Sequence, residues 1–164
     1  MKIGIISDIH DNLPNLDKSL NWLIENGIEK ILCLGDITNS DTIKHLADKF
    51  AGDVFIIKGN ADNYEIKDIS EFKNIKYLEN IASIEIDKLV IGLVHEPFKI
   101  ETLKKDNKKY NFIFHGHTHK PWIEKDGEIT IANPGNLAGT SYSATFATLD
   151  TKEKTLELKI LEMI

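Results

Sequence analysis

Arginine is absent from the 164 residues. Any phosphate-binding site in this chain therefore lacks a bidentate guanidinium clamp and must rely on metal ions, lysines and backbone amides. Cysteine occurs once, as Cys33, which excludes an internal disulfide and makes a cytoplasmic location the expectation. No apolar run approaches the roughly 18 residues of a membrane span, so no membrane association is expected. The opening stretch Met1-Lys2-Ile3-Gly4-Ile5-Ile6 meets Asp8 too soon for the apolar core of a signal peptide. Repeats, low-complexity tracts and linkers are missing as well, so residues 1–164 are read as a single domain. A formal net charge of −6 argues against bulk nucleic-acid binding, which needs many cations facing phosphates. A homo-oligomer is left open.

What is present is an ordinary globular composition, 41% hydrophobic and 28% charged. Lys2 to Ser7, Lys30 to Leu34 and Asp53 to Ile57 read as short buried strands. Pro14 stands where a helix starts, and Leu13, Leu16, Leu20, Leu23 and Ile24 recur at helical spacing until Gly27. Ile43, Leu46, Ala47 and Phe50 mark one face of a second helix. This β-α-β-α-β order implies a parallel sheet with helices outside it. The second half changes character: Ile81–Ile86 with Leu89–Val94, and Trp122–Lys125 with Glu128–Ala132, read as hairpins around Asp87-Lys88 and Asp126-Gly127. Ala144–Leu149 and Thr155–Leu161 look like a last antiparallel pair, and residues 98–109 are expected to be helical. The simplest architecture is two sheets packed face to face with helices outside.

Ligands of open α/β sheets bind beyond the carboxyl ends of the strands, and the polar residues of this chain gather there. Successive strands end in Asp8-Ile9-His10-Asp11-Asn12, Gly35-Asp36, Gly59-Asn60-Ala61-Asp62, His95, and Gly116-His117-Thr118-His119. Taken singly, each is equally an ordinary turn or strand-to-loop step. Glycine precedes three of them, which permits close backbone approach. Of the other histidines, His115 reads as a strand residue before the glycine, and His45 as a solvent-facing position on a helix.

In this order, D-x-H, GD, GN, H and GHTH resemble the motif set of the calcineurin-like metallophosphoesterases, over residues 3 to about 135. The GNAD form, the chain length and Asn133-Pro134-Gly135 look like the small prokaryotic phosphodiesterase subgroup, to which the retromer small subunit is a eukaryotic relative. The resemblance implies an α/β (α+β) fold, a four-layer α-β-β-α sandwich of two mixed sheets flanked by helices. It also implies two divalent metal ions: one held by Asp8, His10, Asp36 and His119, the second by Asp36, Asn60, His95 and His117, with Asp36 bridging. Mixed oxygen and imidazole ligands suit Mn²⁺ first, with Ni²⁺, Fe²⁺ or Zn²⁺ as alternatives, rather than Ca²⁺. Two such ions about 3.5–4 Å apart can activate a water for in-line attack at phosphorus. The implied activity is hydrolysis of small phosphodiesters, with Asp36 and Asn60 in the catalytic set. The alternatives are a phosphomonoesterase or a non-catalytic scaffold like the retromer subunit.

Three departures from the family pattern bear on substrate. Many members carry a histidine after GN, where this chain has Ala61, so no leaving-group acid is evident there unless Asp62 or a water substitutes. Glu96-Pro97 follows His95 where glycine is common, placing a carboxylate near the site. Asn12 matches a position close to the substrate phosphate and is expected to help place it. Lys99, Lys104, Lys105, Lys108 and Lys109 form either a solvated helix face or a cationic rim that draws in phosphates.

Overall fold

The computed structural model describes residues 1–164. The first half runs β1 (Lys2–Ile6), α1 (Leu13–Glu25), β2 (Lys30–Cys33), α2 (Ser40–Lys49), β3 (Asp53–Ile56), α3 (Ile66–Ile69) and β4 (Ile75–Tyr77). Then follow β5 (Ile81–Ile86), β6 (Leu89–Val94), α4 (Ile100–Lys104) and β7 (Phe112–Phe114). The chain ends with β8 (Trp122–Asp126), β9 (Ile129–Asn133), β10 (Thr145–Asp150) and β11 (Thr155–Ile160).

These strands form two mixed sheets. The first has the order β11-β10-β1-β2-β3-β4, parallel from β1 to β4 and antiparallel through β10 and β11. The second has the order β5-β6-β7-β9-β8, with parallel pairs β6–β7 and β7–β9 at its centre. Side chains alternate across each strand, so each sheet offers two faces. Ile3 and Ile5 of β1 and Leu32 and Leu34 at β2 turn inward, against Ile91, Leu93, Phe112 and Phe114 of the second sheet. The opposite face of the first sheet, with Ile6 and Ile31, packs under Leu16, Leu20 and Leu23 of α1 and Ile43 and Leu46 of α2. On the far side of the second sheet, Val94, Ile113 and Ile131 pack against Ile100 and Leu103 of α4. The result is the four-layer α-β-β-α sandwich, and central strands buried on both faces explain the unbroken apolar runs of β1, β2 and β7.

Helix starts follow side-chain chemistry. The Oδ1 of Asn12 accepts from Asn15 N (3.1 Å) to cap α1, and Asn39 Oδ1 accepts from Thr42 N (3.0 Å) to cap α2. Two expectations need correction, and two short elements are added. The helix expected over 98–109 is a 3₁₀ turn at Pro97–Lys99 followed by α4 alone. It stops because Asp106 accepts from Lys108 N (3.0 Å) and Tyr110 Oη (2.6 Å), while Asn107 takes a left-handed φ of 62°. Neither α3 nor β4 was anticipated; at four and three residues they are too short to show a period. Finally, His45 is half-buried rather than solvent-facing, its Nε2 2.6 Å from Asp17 Oδ1 on the neighbouring helix.

Replacing Leu93, fully buried between the sheets, with alanine should destabilise the fold by about 2–5 kcal/mol. The exposed Ile24→Ala on α1 should stay within about 0.5 kcal/mol of the parent. Urea unfolding of the two variants checks the contrast.

Candidate metal centre

Parallel strands point their carboxyl ends in one direction, and at that end five loops converge. The loop after β1 supplies Asp8 and His10, the loop after β2 Asp36, and the loop after β3 Asn60. His95 follows β6 directly, and His117 and His119 follow β7. Convergence requires unusual backbone. Asp8, His10, Asp36, His117 and His119 all take left-handed φ values, between 45° and 69°. For residues with a Cβ this costs about 1–3 kcal/mol each and persists only where surrounding structure enforces it.

Two kinds of contact enforce it here. Glycine permits the first. A Cβ on Gly59 would land on Asp36 Oδ1, and one on Gly116 would overlap Ser7 Oγ and come within 2.7 Å of Asp8 Oδ2. Backbone hydrogen bonds to buried carboxylates provide the second. Asp62 accepts from Asp36 N (3.1 Å), Thr38 N (2.8 Å) and Gly59 N (2.7 Å), tying the β2 and β3 loops together. Asp8 accepts from His117 N at 3.1 and 3.2 Å, tying β1 to the GHTH loop, and Ala61 N donates to Asp36 Oδ1 (2.7 Å).

The side chains meet in two groups. Ligand-type atoms of Asp8, His10 and His119 lie within 4.8 Å of one another, as do those of Asp36, His95 and His117. In the first, His10 Nε2 is 3.3 Å from His119 Nε2, and His119 Nε2 is 3.4 Å from Asp8 Oδ1. In the second, His95 Nε2 is 3.2 Å from Asp36 Oδ2 and 3.1 Å from Asn60 Oδ1, which in turn is 2.7 Å from His117 Nδ1. Asp36 Oδ2 also lies 3.7 Å from His10 Nε2, so one carboxylate faces both groups.

Outer contacts orient the rings. His95 Nδ1 donates to the Leu34 carbonyl (2.7 Å), which aims Nε2 at Asp36 and Asn60. The Nδ1 of His119 is 3.0 Å from Thr140 Oγ1, which leaves Nε2 facing His10. Asn133 Nδ2 donates to Gly116 O (2.9 Å) and Thr118 Oγ1 (2.9 Å), and Asn136 Nδ2 to His119 O (3.1 Å), fixing the loop that carries both histidines.

Electrostatically, the site is a set of oxygen and nitrogen lone pairs with no resident ammonium. Burial pushes the Asp8 carboxyl above its ordinary range, against weaker opposing effects of Ser7, His95 and His119. Burial also acts to raise Asp36, but hydrogen bonds from His95 and Ala61 and the neighbouring imidazoles outweigh it and hold the group low. Burial opposes the charged form of His95 likewise, yet Asp36 and Asp8 raise it. The ion-pair partners of Asp8 and Asp36 are histidines alone, with no lysine among them. The two buried carboxylates stand among imidazoles, a donor set suited to borderline divalent cations.

Other residues named from the sequence take the following places. Asn12 does not present a free amide to the site: its Oδ1 caps α1, and Nδ2 donates to Ala138 O (2.9 Å), leaving a single N–H. His115 is buried beside the centre without joining either group; its Nδ1 contacts Gly116 O (3.1 Å), and burial lowers its pKa. Asp62 is a backbone clamp with both oxygens engaged. Glu96 pairs with Lys99 at 2.6 Å, Lys104 with Glu101 and Asp126, and Lys108 with Asp106. Much of the lysine cluster is thus neutralised locally, which favours a solvated face over a cationic rim. Sequence reasoning missed Thr140, Asn136 and the clamp role of Asp62. Asn136 adjoins the quoted Asn133-Pro134-Gly135, whereas Thr140 carries no local signal at all.

Carboxylate and imidazole groups thus gather at the strand ends of a double-sheet sandwich, and the chain belongs to the calcineurin-like phosphoesterase superfamily, whose domain matches residues 1–154. Phosphodiesterase MJ0936 of Methanocaldococcus jannaschii is 29% identical, over 99% of this chain and 100% of its own length. A solved structure described as a novel archaeal phosphodiesterase superposes with a TM-score of 0.87 at 26% identity, covering 98% of this chain and 99% of the other. Vps29 of Entamoeba histolytica, solved with zinc, superposes with a TM-score of 0.72 at 19% identity, covering 98% of this chain and 99% of the other. That last likeness is one of fold.

Asp62→Ala would leave three backbone N–H groups without their acceptor. It should destabilise the protein by at least about 3 kcal/mol, given the usual penalty for each orphaned buried donor. Chemical denaturation measures the loss.

Proposed function

We propose that residues 1–164 form one metallophosphoesterase domain that hydrolyses small phosphodiesters with two divalent cations. Asp8, His10, Asp36 and His119 would hold one, and Asp36, Asn60, His95 and His117 the other. The observation that carries this is the position of Asp36 Oδ2, 3.2 Å from His95 Nε2 and 3.7 Å from His10 Nε2, where one oxygen serves both groups. Such a cation pair supplies Lewis acidity at phosphorus and lowers the pKa of a water nucleophile. The chain's own residues set its geometry. Leu34 O and Thr140 Oγ1 fix two imidazoles, and Asp62 fixes the loops that carry Asp36 and Asn60. Asn12 has one N–H left for a phosphate oxygen, which supports only a minor positioning role. The complete set of ligand-type residues favours an enzyme over a scaffold.

We take Mn²⁺ as the first candidate ion, with Ni²⁺, Fe²⁺ and Zn²⁺ as alternatives on the mixed oxygen and nitrogen donor set. The single buried cysteine supports a cytoplasmic setting, and no helix is long and apolar enough to cross a membrane. A homo-oligomer is compatible with this reading.

Asp36→Ala should abolish hydrolysis of a nitrophenyl phosphodiester and lower the bound metal at both positions. His115→Ala should keep two metals and most activity. Metal analysis beside the assay decides: full activity with two ions in Asp36→Ala would contradict the bridge, and loss of one ion in His115→Ala would contradict the ligand assignment.

Charge selects between ester classes. A monoester carries about two negative charges near neutral pH, as phosphoserine does, and a diester one. With no arginine in the chain and Lys99 paired to Glu96, diesters should be preferred, above all those with good leaving groups. Ala61→His would add an acid beside Asn60 and should accelerate poor leaving groups by about 10²-fold or more. The slope of rate against leaving-group pKa should flatten in that variant. An unchanged slope, or a parent enzyme that prefers monoesters, contradicts the account.

A further inference from the structure

Thr140 stands on the exposed loop between β9 and β10, and its Oγ1 meets the outer edge of the His119 ring, 3.0 Å from Nδ1. The loop that carries it is held from three sides. Asn136, fully buried, accepts at Oδ1 from Gly139 N (2.6 Å) and Thr140 N (3.1 Å), and its Nδ2 donates to His119 O (3.1 Å). One amide thus grips the backbone of both residues, and the hydroxyl–imidazole contact closes the circuit between their side chains. The start of α1 holds the next carbonyls, Asn15 Nδ2 donating to Leu137 O (2.7 Å) and Asn12 Nδ2 to Ala138 O (2.9 Å). The end of β1 holds the matching amides, Leu137 N donating to Ser7 O (3.1 Å) and Ala138 N to Asp8 O (2.9 Å). Thr140 is therefore delivered to His119 by a fixed support.

The two groups of the centre differ in what braces their rings. In the Asp36 group, His95 rests on the buried Leu34 carbonyl. In the Asp8 group, the polar contacts of the His10 ring are with His119 and Asp36, both inside the site. His119 is then the imidazole of that group with an outside brace, and Thr140 supplies it. A neutral imidazole that coordinates through Nε2 keeps its hydrogen on Nδ1 and needs an acceptor there. Thr140 Oγ1 stands where that acceptor is needed.

We propose that Thr140 is a positioning residue for His119, and that it sets the affinity of one cation position, the one Asp8, His10 and His119 share with Asp36. The inference rests on the two-cation reading above and adds an asymmetry to it. One position is tuned from an exposed loop, and the other is braced from inside the fold.

Mn²⁺ titration calorimetry of the metal-free chain tests this without recourse to activity. Thr140→Val removes the hydroxyl at an exposed position, so the urea midpoint of the metal-free protein should not move. One of the two affinities should fall about tenfold, the lower end of the usual cost of losing an outer partner of a ligating histidine, while the other stays within about twofold. Thr140→Ser, which keeps the hydroxyl, should restore the lost affinity to within about threefold of the parent. A His10→Ala background identifies the position: there Thr140→Val should change the remaining affinity by less than about twofold, because the two residues serve the same cation. Two affinities unchanged in Thr140→Val, an equal fall in both, or no recovery in Thr140→Ser overturns the proposal. A parent that binds fewer than two cations overturns the two-cation reading itself, and the proposal with it.

Discussion

The Asp62 carboxylate, which accepts from Asp36 N, Thr38 N and Gly59 N, holds two loops closer than side chains would allow. The same condition recurs at Gly116, where Ser7 and Asp8 fill the space a Cβ would need. Metal-ligand chemistry needs atoms from several strands within a few ångströms of one point, yet adjacent strands lie about 4.8 Å apart and stacked sheets about 10 Å apart. The gap is closed by bending the chain just past the strand ends. Left-handed backbone at Asp8, His10, Asp36, His117 and His119 turns the side chains inward. Buried carboxylates and glycine contacts then keep the bends in place. Stability elsewhere in the sandwich offsets this strain, with apolar layers on both faces of the central strands.

Most of the architecture was legible because strand and helix periods are properties of local sequence. The runs at β1, β2 and β6 and the leucine spacing of α1 reappear with shifts of a residue or so at their ends. What escaped depended on contacts made at a distance. The end of α4 is decided by Asp106 binding Lys108 and Tyr110, and α3 and β4 are too short to carry a period. His45 looked free on its own helix and is engaged only because α2 lies beside α1 and its Asp17.

At the site, the residue types and their order made the candidate ligands legible, since carboxylates, amides and imidazoles at the ends of five strands are uncommon together. The supporting residues were less so. Asp62 sits inside the GNAD stretch, yet its role as a clamp appears only once the β2 and β3 loops are adjacent. Thr140 reaches His119 across 21 positions of sequence, a contact no local pattern can announce. Asn12 shows the converse: a residue expected to face substrate is occupied by capping its helix and tethering Ala138. A motif position thus fixes which residue is present, while the local hydrogen bonds fix how much of it remains for chemistry.

The central claim is that one carboxylate, Asp36, joins two cations into a single centre. Electron paramagnetic resonance during Mn²⁺ titration of the metal-free protein tests it most directly. Two ions sharing a carboxylate at about 3.5–4 Å are exchange-coupled, so the account predicts a coupled dinuclear spectrum that grows to saturation at two equivalents. A spectrum of isolated Mn²⁺ throughout, or saturation at one equivalent, would contradict it.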